Sequence, residues 1–386
     1  MSGKLTWIAT AGYGLEGVLA REIRALGYET TDVQTSRVTF AGGPEAGVRA
    51  NLWLRTAGRV RLCVGAFDAS DFDQLFEGVR QVRWEDYLPR DAAFPVGCRL
   101  VNSHIKSPSD TQAIVKKAVA QRLGSVYRIG RLPESGAERP VEAHIYRDRV
   151  TLSIDTSGAP LHRRGYRVLN ADAALRETLA AALVLLSRWR PEVPFADPFC
   201  GSGTLCVEAA MIGRGIAPGA LRTFGAEDWP ILPAALWRQA REEARDSVSA
   251  SVLSIEGADI DAAALSMAQT HARKAGVADS IRFRRADARR FASDVPGGFI
   301  VTNPPYGKRL SDRAAVERLY RETSPALRAL PGWTVCVLSS HTRLEALLGM
   351  KAAHRRALFN GPIACRFYEF TARRSAREGA SHARTP

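Results

Sequence analysis

The stretch Phe195-Ala196-Asp197-Pro198-Phe199-Cys200-Gly201-Ser202-Gly203-Thr204 runs from a short apolar segment into a glycine-bearing turn, and the helically spaced residues Leu205–Ile212 follow it directly. Glycine lets a ligand approach such a turn closely, and the helix start presents N–H groups that have no partner within the helix. The turn is neither Gly-x-Gly-x-x-Gly nor a Gly-Lys-Ser/Thr loop. A small zwitterion with a carboxylate therefore suits it better than a phosphate. Beyond it, apolar β runs alternate with helical segments: Phe195–Asp197, Leu253–Asp259, Ile281–Arg285, Phe299–Thr302 and Thr334–Leu338. This alternation predicts an α/β domain whose parallel sheet is covered on both faces. Arg356–Phe359 and Ala364–Thr371, joined by Asn360-Gly361-Pro362, read as a closing hairpin.

Two further acids fall in register with that turn. Asp259 ends the second strand, where a carboxylate accepts both hydroxyls of a ribose, while Asp261 suits the cap of the next helix. Asp287 follows the third strand, where it can accept from an adenine amino group. After the fourth strand comes Asn303-Pro304-Pro305-Tyr306. The lone pair of a base amine is delocalised into its ring. Acceptors at the Asn303 side chain and the Pro304 carbonyl would favour a pyramidal, nucleophilic nitrogen, a case of electrostatic preorganisation. The prolines stiffen the loop, and Tyr306 offers a stacking surface for a flipped base.

Asp197–Thr204, Asp259, Asp287 and Asn303–Tyr306 resemble, in that order, the motifs of Rossmann-like class I amino-methyltransferases that use S-adenosylmethionine. More narrowly, Leu161-His162-Arg163-Arg164-Gly165-Tyr166-Arg167, Leu175–Ala182 and Asn303–Leu310 resemble the THUMP-containing RNA guanine-N2 methyltransferases. The likeness extends to the guanine-N2 half of bacterial 23S rRNA enzymes through Phe224–Arg245, with Trp229 and Trp237, and through Asn360–Pro362. In some members of that family a second methyltransferase domain follows, and none is expected here. The resemblance implies that Asp197, Phe199, Gly201, Gly203, Thr204, Asp259, Ile260, Asp287, Ala288 and Asn303 hold S-adenosylmethionine. It also implies that Asn303, Pro304 and Tyr306 act on the base. Lys116, Lys117, Arg163, Arg164, Lys308 and Arg309 are candidates for RNA phosphates, with a solvated surface or linker as the alternative reading.

The expected organisation is a ferredoxin-like domain over residues 1–60, a THUMP RNA-binding domain over 61–160, and a linker with a helix over 161–190. The Rossmann-like domain then covers 191–372, and a disordered tail covers 373–386. Within the first two, Leu5–Thr10 and Arg37–Phe40 read as strands and Gly14–Leu26 as a helix. Ser109 or Asp110 caps a further helix that stops at Gly124, and Ala173–Arg188 forms another.

The 386 residues carry 54 Lys and Arg against 40 Asp and Glu, a net charge of +14. The excess is +6 over residues 1–170 (24 basic, 18 acidic) and +8 thereafter (30 basic, 22 acidic), so it is not confined to a tail. A polyanionic partner, RNA, is the expectation. The six cysteines form no C-x-x-C pair, and neither a disulfide framework nor a metal site is expected. The chain lacks a signal-like start and a membrane-length apolar run, so a cytoplasmic monomer is anticipated. The product expected is N2-methylguanosine in 23S rRNA. A tRNA guanine-N2 methyltransferase is the alternative, and a DNA adenine-N6 enzyme a remoter one.

Overall fold

The structure is a computed structural model that describes residues 4–167, 175–306 and 313–371. In chain order its first part comprises β1 (Leu5–Ala11), α1 (Glu16–Ala25), β2 (Glu29–Gln34), β3 (Arg37–Gly42), α2 (Pro44–Trp53), β4 (Ala57–Asp68), α3 (Phe72–Gln81), β5 (Val96–Val101), α4 (Pro108–Tyr127), β6 (Val141–Tyr146) and β7 (Arg149–Asp155). The second comprises α5 (Glu177–Ser187), β8 (Phe195–Asp197), α6 (Thr204–Gly213), α7 (Ala234–Asp246), β9 (Ile255–Asp259), α8 (Ala262–Lys274), β10 (Ile281–Arg285), β11 (Gly298–Thr302), α9 (Arg313–Arg328), β12 (Trp333–Ser339), α10 (Leu344–Leu348), β13 (His354–Asn360) and β14 (Ile363–Thr371).

Two compact units share these elements. One holds residues 1–11, 19–161 and 218–246; the other holds 12–18, 162–217 and 247–386. The first unit is built on one sheet in the order β2-β3-β1-β4-β7-β6-β5. The expected boundary at residue 60 therefore falls inside β4. That strand pairs with β1 on one side and β7 on the other, so the ferredoxin-like and THUMP regions share one ladder. Alternation along the strands buries Trp7, Ala9, Phe40, Leu62, Ala143, Ile145 and Leu152 on one face and leaves polar residues on the other. Residues 218–246 also belong here. Gly219 N–H bonds Leu52, the Arg139 guanidinium lies over the Trp229 ring, and Phe224 stacks on Trp237.

Three local expectations change. β2 was not anticipated, because Glu29-Thr30-Thr31-Asp32-Val33-Gln34 is a largely exposed edge strand without apolar alternation. Ser107, rather than Ser109 or Asp110, caps α4: its hydroxyl accepts from Asp110 N–H and Pro108 takes the first helical position. That helix continues past Gly124 and ends with Arg128 in the left-handed conformation. The helix expected over 173–188 is α5, with residues 168–174 outside the described residues. Residues 373–386 also lie outside them.

The second unit carries the sheet β10-β9-β8-β11-β12-β14-β13, parallel through β12 and closed by the antiparallel hairpin β13–β14. The strand order reverses at β8, and a doubly wound sheet binds its ligand beyond the carboxyl ends of the strands at such a switch point. Among the described residues, no helix is long and apolar enough to cross a membrane.

In the first unit, Gly47 on α2 lies against the fully buried Trp7 ring, which a methyl group at that position would strike. Glycine to alanine within a helix ordinarily stabilises by up to about 1 kcal/mol. Here overpacking should outweigh that gain, and Gly47→Ala should destabilise the protein by about 1–3 kcal/mol. Thermal denaturation followed by circular dichroism checks this through a lowered Tm.

Candidate active site

The cavity at the carboxyl ends of β8, β9, β10 and β11 has a volume of about 410 Å³. Its floor is the turn after β8. Gly201 lines the cavity with a positive φ, and a Cβ built there would meet nothing within 4 Å. Gly201 N–H donates to Asp259 Oδ2 at 2.8 Å, and Asp261 N–H donates to Asp259 Oδ1 at 2.9 Å. Each carboxylate oxygen keeps a second lone pair, which is what two ribose hydroxyls require. Ile260, 61% exposed beside it, is an apolar platform of the kind an adenine ring covers. The turn, the carboxylate and this platform together fit a nucleoside cofactor.

Of the residues expected to hold that cofactor, Phe199, Gly201, Asp259, Ile260, Asp287, Ala288 and Asn303 line the cavity. Asp197, Gly203 and Thr204 do not, and each has a structural task instead. Asp197 is 2% exposed; its Oδ1 accepts from the Thr302 hydroxyl at 2.6 Å and from Phe199 N–H at 3.1 Å. It ties the turn after β8 to the end of β11. Gly203 packs against Ala268 on α8 with no room for a side chain. Thr204 accepts from Arg167 Nη2 at 2.8 Å.

Asp287 faces the cavity but is engaged. Its oxygens accept from Arg289 Nε, Nη2 and backbone N–H at 2.6–3.0 Å, and this pairing holds the carboxyl below its usual range. Arg289 itself lines the cavity and also reaches Glu322, a role that motif reading missed. The spacing Asp287-Ala288-Arg289 was the available signal.

The loop after β11 also lines the cavity, with Asn303, Pro304, Pro305 and Tyr306. Asn303 Oδ1 is buried and, among the described residues, has no hydrogen-bond partner. The Tyr320 hydroxyl on α9 donates to the Pro305 carbonyl at 2.9 Å and anchors the loop. Asn360 Nδ2 donates to the Tyr306 hydroxyl at 2.9 Å, and burial pushes that phenol up. The hairpin turn Asn360–Ile363 thus borders the cavity, whereas sequence reading had it close the sheet and carry part of the family likeness.

The Leu161–Arg167 motif also requires a correction. Arg164 is 2% exposed and pairs with the fully buried Glu208 on α6, which also accepts from the Tyr166 hydroxyl at 3.0 Å. It braces the cofactor helix and is not offered to RNA, because a guanidinium desolvated in this way needs its buried partner. Arg163 is exposed. Lys116 is engaged by Glu134 and the Phe94 carbonyl, and Lys117 lies over the Phe76 ring. Lys308 and Arg309 lie outside the described residues.

The fold and the cavity define a class I methyltransferase whose methyl donor is S-adenosylmethionine. Residues 164–369 match the RMKL-like methyltransferase domain, residues 6–61 the RlmL ferredoxin-like domain and residues 69–155 the THUMP domain. The chain belongs to this THUMP-containing RNA methyltransferase family. It is 43% identical over 372 residues to a protein of Bacillus subtilis (strain 168) named "Putative RNA methyltransferase YpsC", covering 95% of this chain and 96% of that one. It is 36% identical over 388 residues to the ribosomal RNA large subunit methyltransferase K/L of Syntrophotalea carbinolica, covering 96% of this chain but 54% of that protein. The chain therefore spans about half the length of that relative. The solved structure of SMU.472 complexed with SAH superposes with a TM-score of 0.89 at 38% identity, over 97% of this chain and all of that one.

Burial raises the Asp197 carboxyl from 3.8 to about 7, with the Asp259 charge adding to the shift. A group whose folded pKa is raised holds its proton longer in the native state. Stability should therefore decline as pH climbs from about 4 to about 7, by no more than about 1.4 kcal/mol per pH unit. Asp197→Asn keeps an acceptor for Thr302 and Phe199 and removes the titration. Urea denaturation across this range should show a flatter pH profile for the variant; an unchanged slope would show that another group causes the decline.

Proposed function

We propose that the chain methylates the exocyclic N2 of guanine in RNA, with 23S rRNA as the substrate. The observation that carries this reading is the unpartnered, buried Asn303 Oδ1 on the cavity wall. A buried acceptor without a donor costs about 1–3 kcal/mol, and that cost is recovered when an amine N–H reaches it. An amine placed there would donate one hydrogen to Asn303 Oδ1 and the other to the Pro304 carbonyl. Its lone pair would then be directed away from the loop.

S-adenosylmethionine supplies an electrophilic methyl group, for which in-line placement provides most of the rate. Tyr306, its hydroxyl held by Asn360, offers a fixed ring face for stacking the flipped base. Burial pushes the Cys200 and Cys206 thiols up, away from the thiolate form, so this chemistry does not draw on a cysteine nucleophile.

The choice of RNA is supported by the THUMP match and the basic net charge. The choice of large-subunit RNA is supported by the K/L likeness over nearly the whole chain, and the choice of guanine N2 by the resemblance of Leu161–Arg167, Leu175–Ala182 and Phe224–Arg245 to guanine-N2 enzymes. Arg163 and Lys117, with Lys308 and Arg309, remain our candidates for backbone contacts.

Asn303→Ala should cut single-turnover methylation by about a hundred-fold or more while S-adenosylhomocysteine still binds in calorimetry. Retained activity would assign the acceptor role to another group. The substrate itself is tested by offering the enzyme and labelled cofactor deproteinised 23S rRNA and bulk tRNA, both from unmodified sources. We expect N2-methylguanosine in the 23S rRNA. Label confined to tRNA would establish the tRNA reading, and N6-methyladenosine would overturn both.

A further inference from the structure

The polar face of the first unit's sheet holds a second, smaller cavity of about 50 Å³. By volume it admits about four water-sized groups, which is the size of a tetrahedral oxyanion and too small for a base. Arginines from three strands converge on it: Arg37 of β3, Arg61 of β4 and Arg99 of β5, with Glu142 and His144 of β6 between them. Arg37 Nη1 donates to His144 Nδ1 at 2.7 Å, which requires a lone pair on that nitrogen. Arg61 Nη1 pairs with Glu142 Oε2 at 3.0 Å. Arg99 is exposed and stands directly across from His144 in the β5–β6 register. Among the described residues, the buried Nε atoms of both Arg37 and Arg61 have no hydrogen-bond partner.

Three guanidinium groups against one carboxylate leave a local charge of +2 with the imidazole neutral. Burial and the Arg37, Arg99 and Arg61 charges together hold the His144 imidazole down to about 4, so it adds no positive charge at neutral pH. Two buried guanidinium N–H groups without acceptors are a cost that an anion in the cavity would remove. Thr10, Thr151 and Ser153 supply hydroxyls on the same rim. The geometry is that of an oxyanion pocket: planar donors from several directions, matched to phosphate oxygens.

We propose that this pocket is a phosphate-binding subsite of the RNA-binding unit, in which Arg37, Arg61 and Arg99 grip one backbone phosphate of the substrate RNA. That the phosphate belongs to RNA rests on the function proposed above; that the pocket takes a phosphate group does not. Glu142 competes with the phosphate for Arg61 and tunes the affinity downward.

The test uses the full-length protein and two probes, inorganic phosphate and an unstructured RNA oligonucleotide, with the His144 imidazole observed by NMR. An anion in the pocket favours the imidazolium, so each probe should raise the His144 pKa by a unit or more. Arg99→Ala, at an exposed position that folding tolerates, should remove most of that shift. It should also weaken RNA binding by about ten-fold or more and reduce the slope of log K against log salt by about one. Glu142→Gln should act in the opposite direction and tighten RNA. Both variants should bind S-adenosylhomocysteine like the parent.

A shift with phosphate and none with RNA would identify a pocket for a free anion and overturn the RNA assignment. No shift with either probe, with RNA affinity unchanged in both variants, would overturn the subsite altogether. Both outcomes are read without any methylation assay. A failure of the guanine-N2 reading would instead appear as the wrong methylated nucleoside beside an intact His144 response.

Discussion

The hydrogen bond from the Thr302 hydroxyl to the buried Asp197 carboxylate is the link on which the active site depends. The glycine-bearing turn leaves β8 and the Asn303–Tyr306 loop leaves β11, and these strands are parallel neighbours. Each loop has its own anchors, Asp259 and His271 for the turn and Tyr320 for the loop after β11, but these do not join one loop to the other. A single acceptor at the end of β8 bonds its own turn through Phe199 N–H and the neighbouring strand through Thr302. It thereby ties the glycine-bearing turn after β8 to the residue that precedes Asn303. The raised carboxyl pKa is the cost of placing that acceptor where water is excluded.

The same economy governs the surroundings. Arg164, Tyr166 and Glu208 form a buried polar cluster beneath α6, and Arg167 reaches the first residue of that helix from the same segment. His271 on α8 bonds the Ser202 carbonyl from the other side. The cofactor turn is therefore held by side chains of three elements. Its glycines serve two different needs: Gly201 leaves room for the ligand and Gly203 leaves room for α8.

Much of this was legible from residues alone, because parallel βα units repeat a strong signal. An apolar strand followed by an acid or an Asn-Pro-Pro-Tyr, repeated along the chain with helical segments between, specifies both the sheet and the edge of the cavity. What sequence could not separate was a residue touching the ligand from one bracing the residue that does. Asp197 and Asp259 look alike as strand-end acids, and only burial distinguishes them. Arg164 looked like a surface cation because motifs do not show which arginine turns inward. The oxyanion pocket was invisible for a different reason. Its arginines are 24 and 38 residues apart along the chain, on strands that carry no local motif, and only the seven-stranded pairing brings them together.

Residues 218–246 lie between β8 and β9 in the chain yet complete the first unit, while residues 12–18 belong to the second. During synthesis from the N-terminus, the first unit thus lacks α7 and both of its inserted tryptophans until residue 246 has emerged. By then β8 and α6 already exist, without the strands that flank them in the finished sheet. Domains generally fold as units as they emerge, N-terminal first. In this chain the residues of the two units instead emerge interleaved, so both cores are incomplete over a long stretch of translation. Neither unit has a point in the sequence at which it is finished before the other has begun.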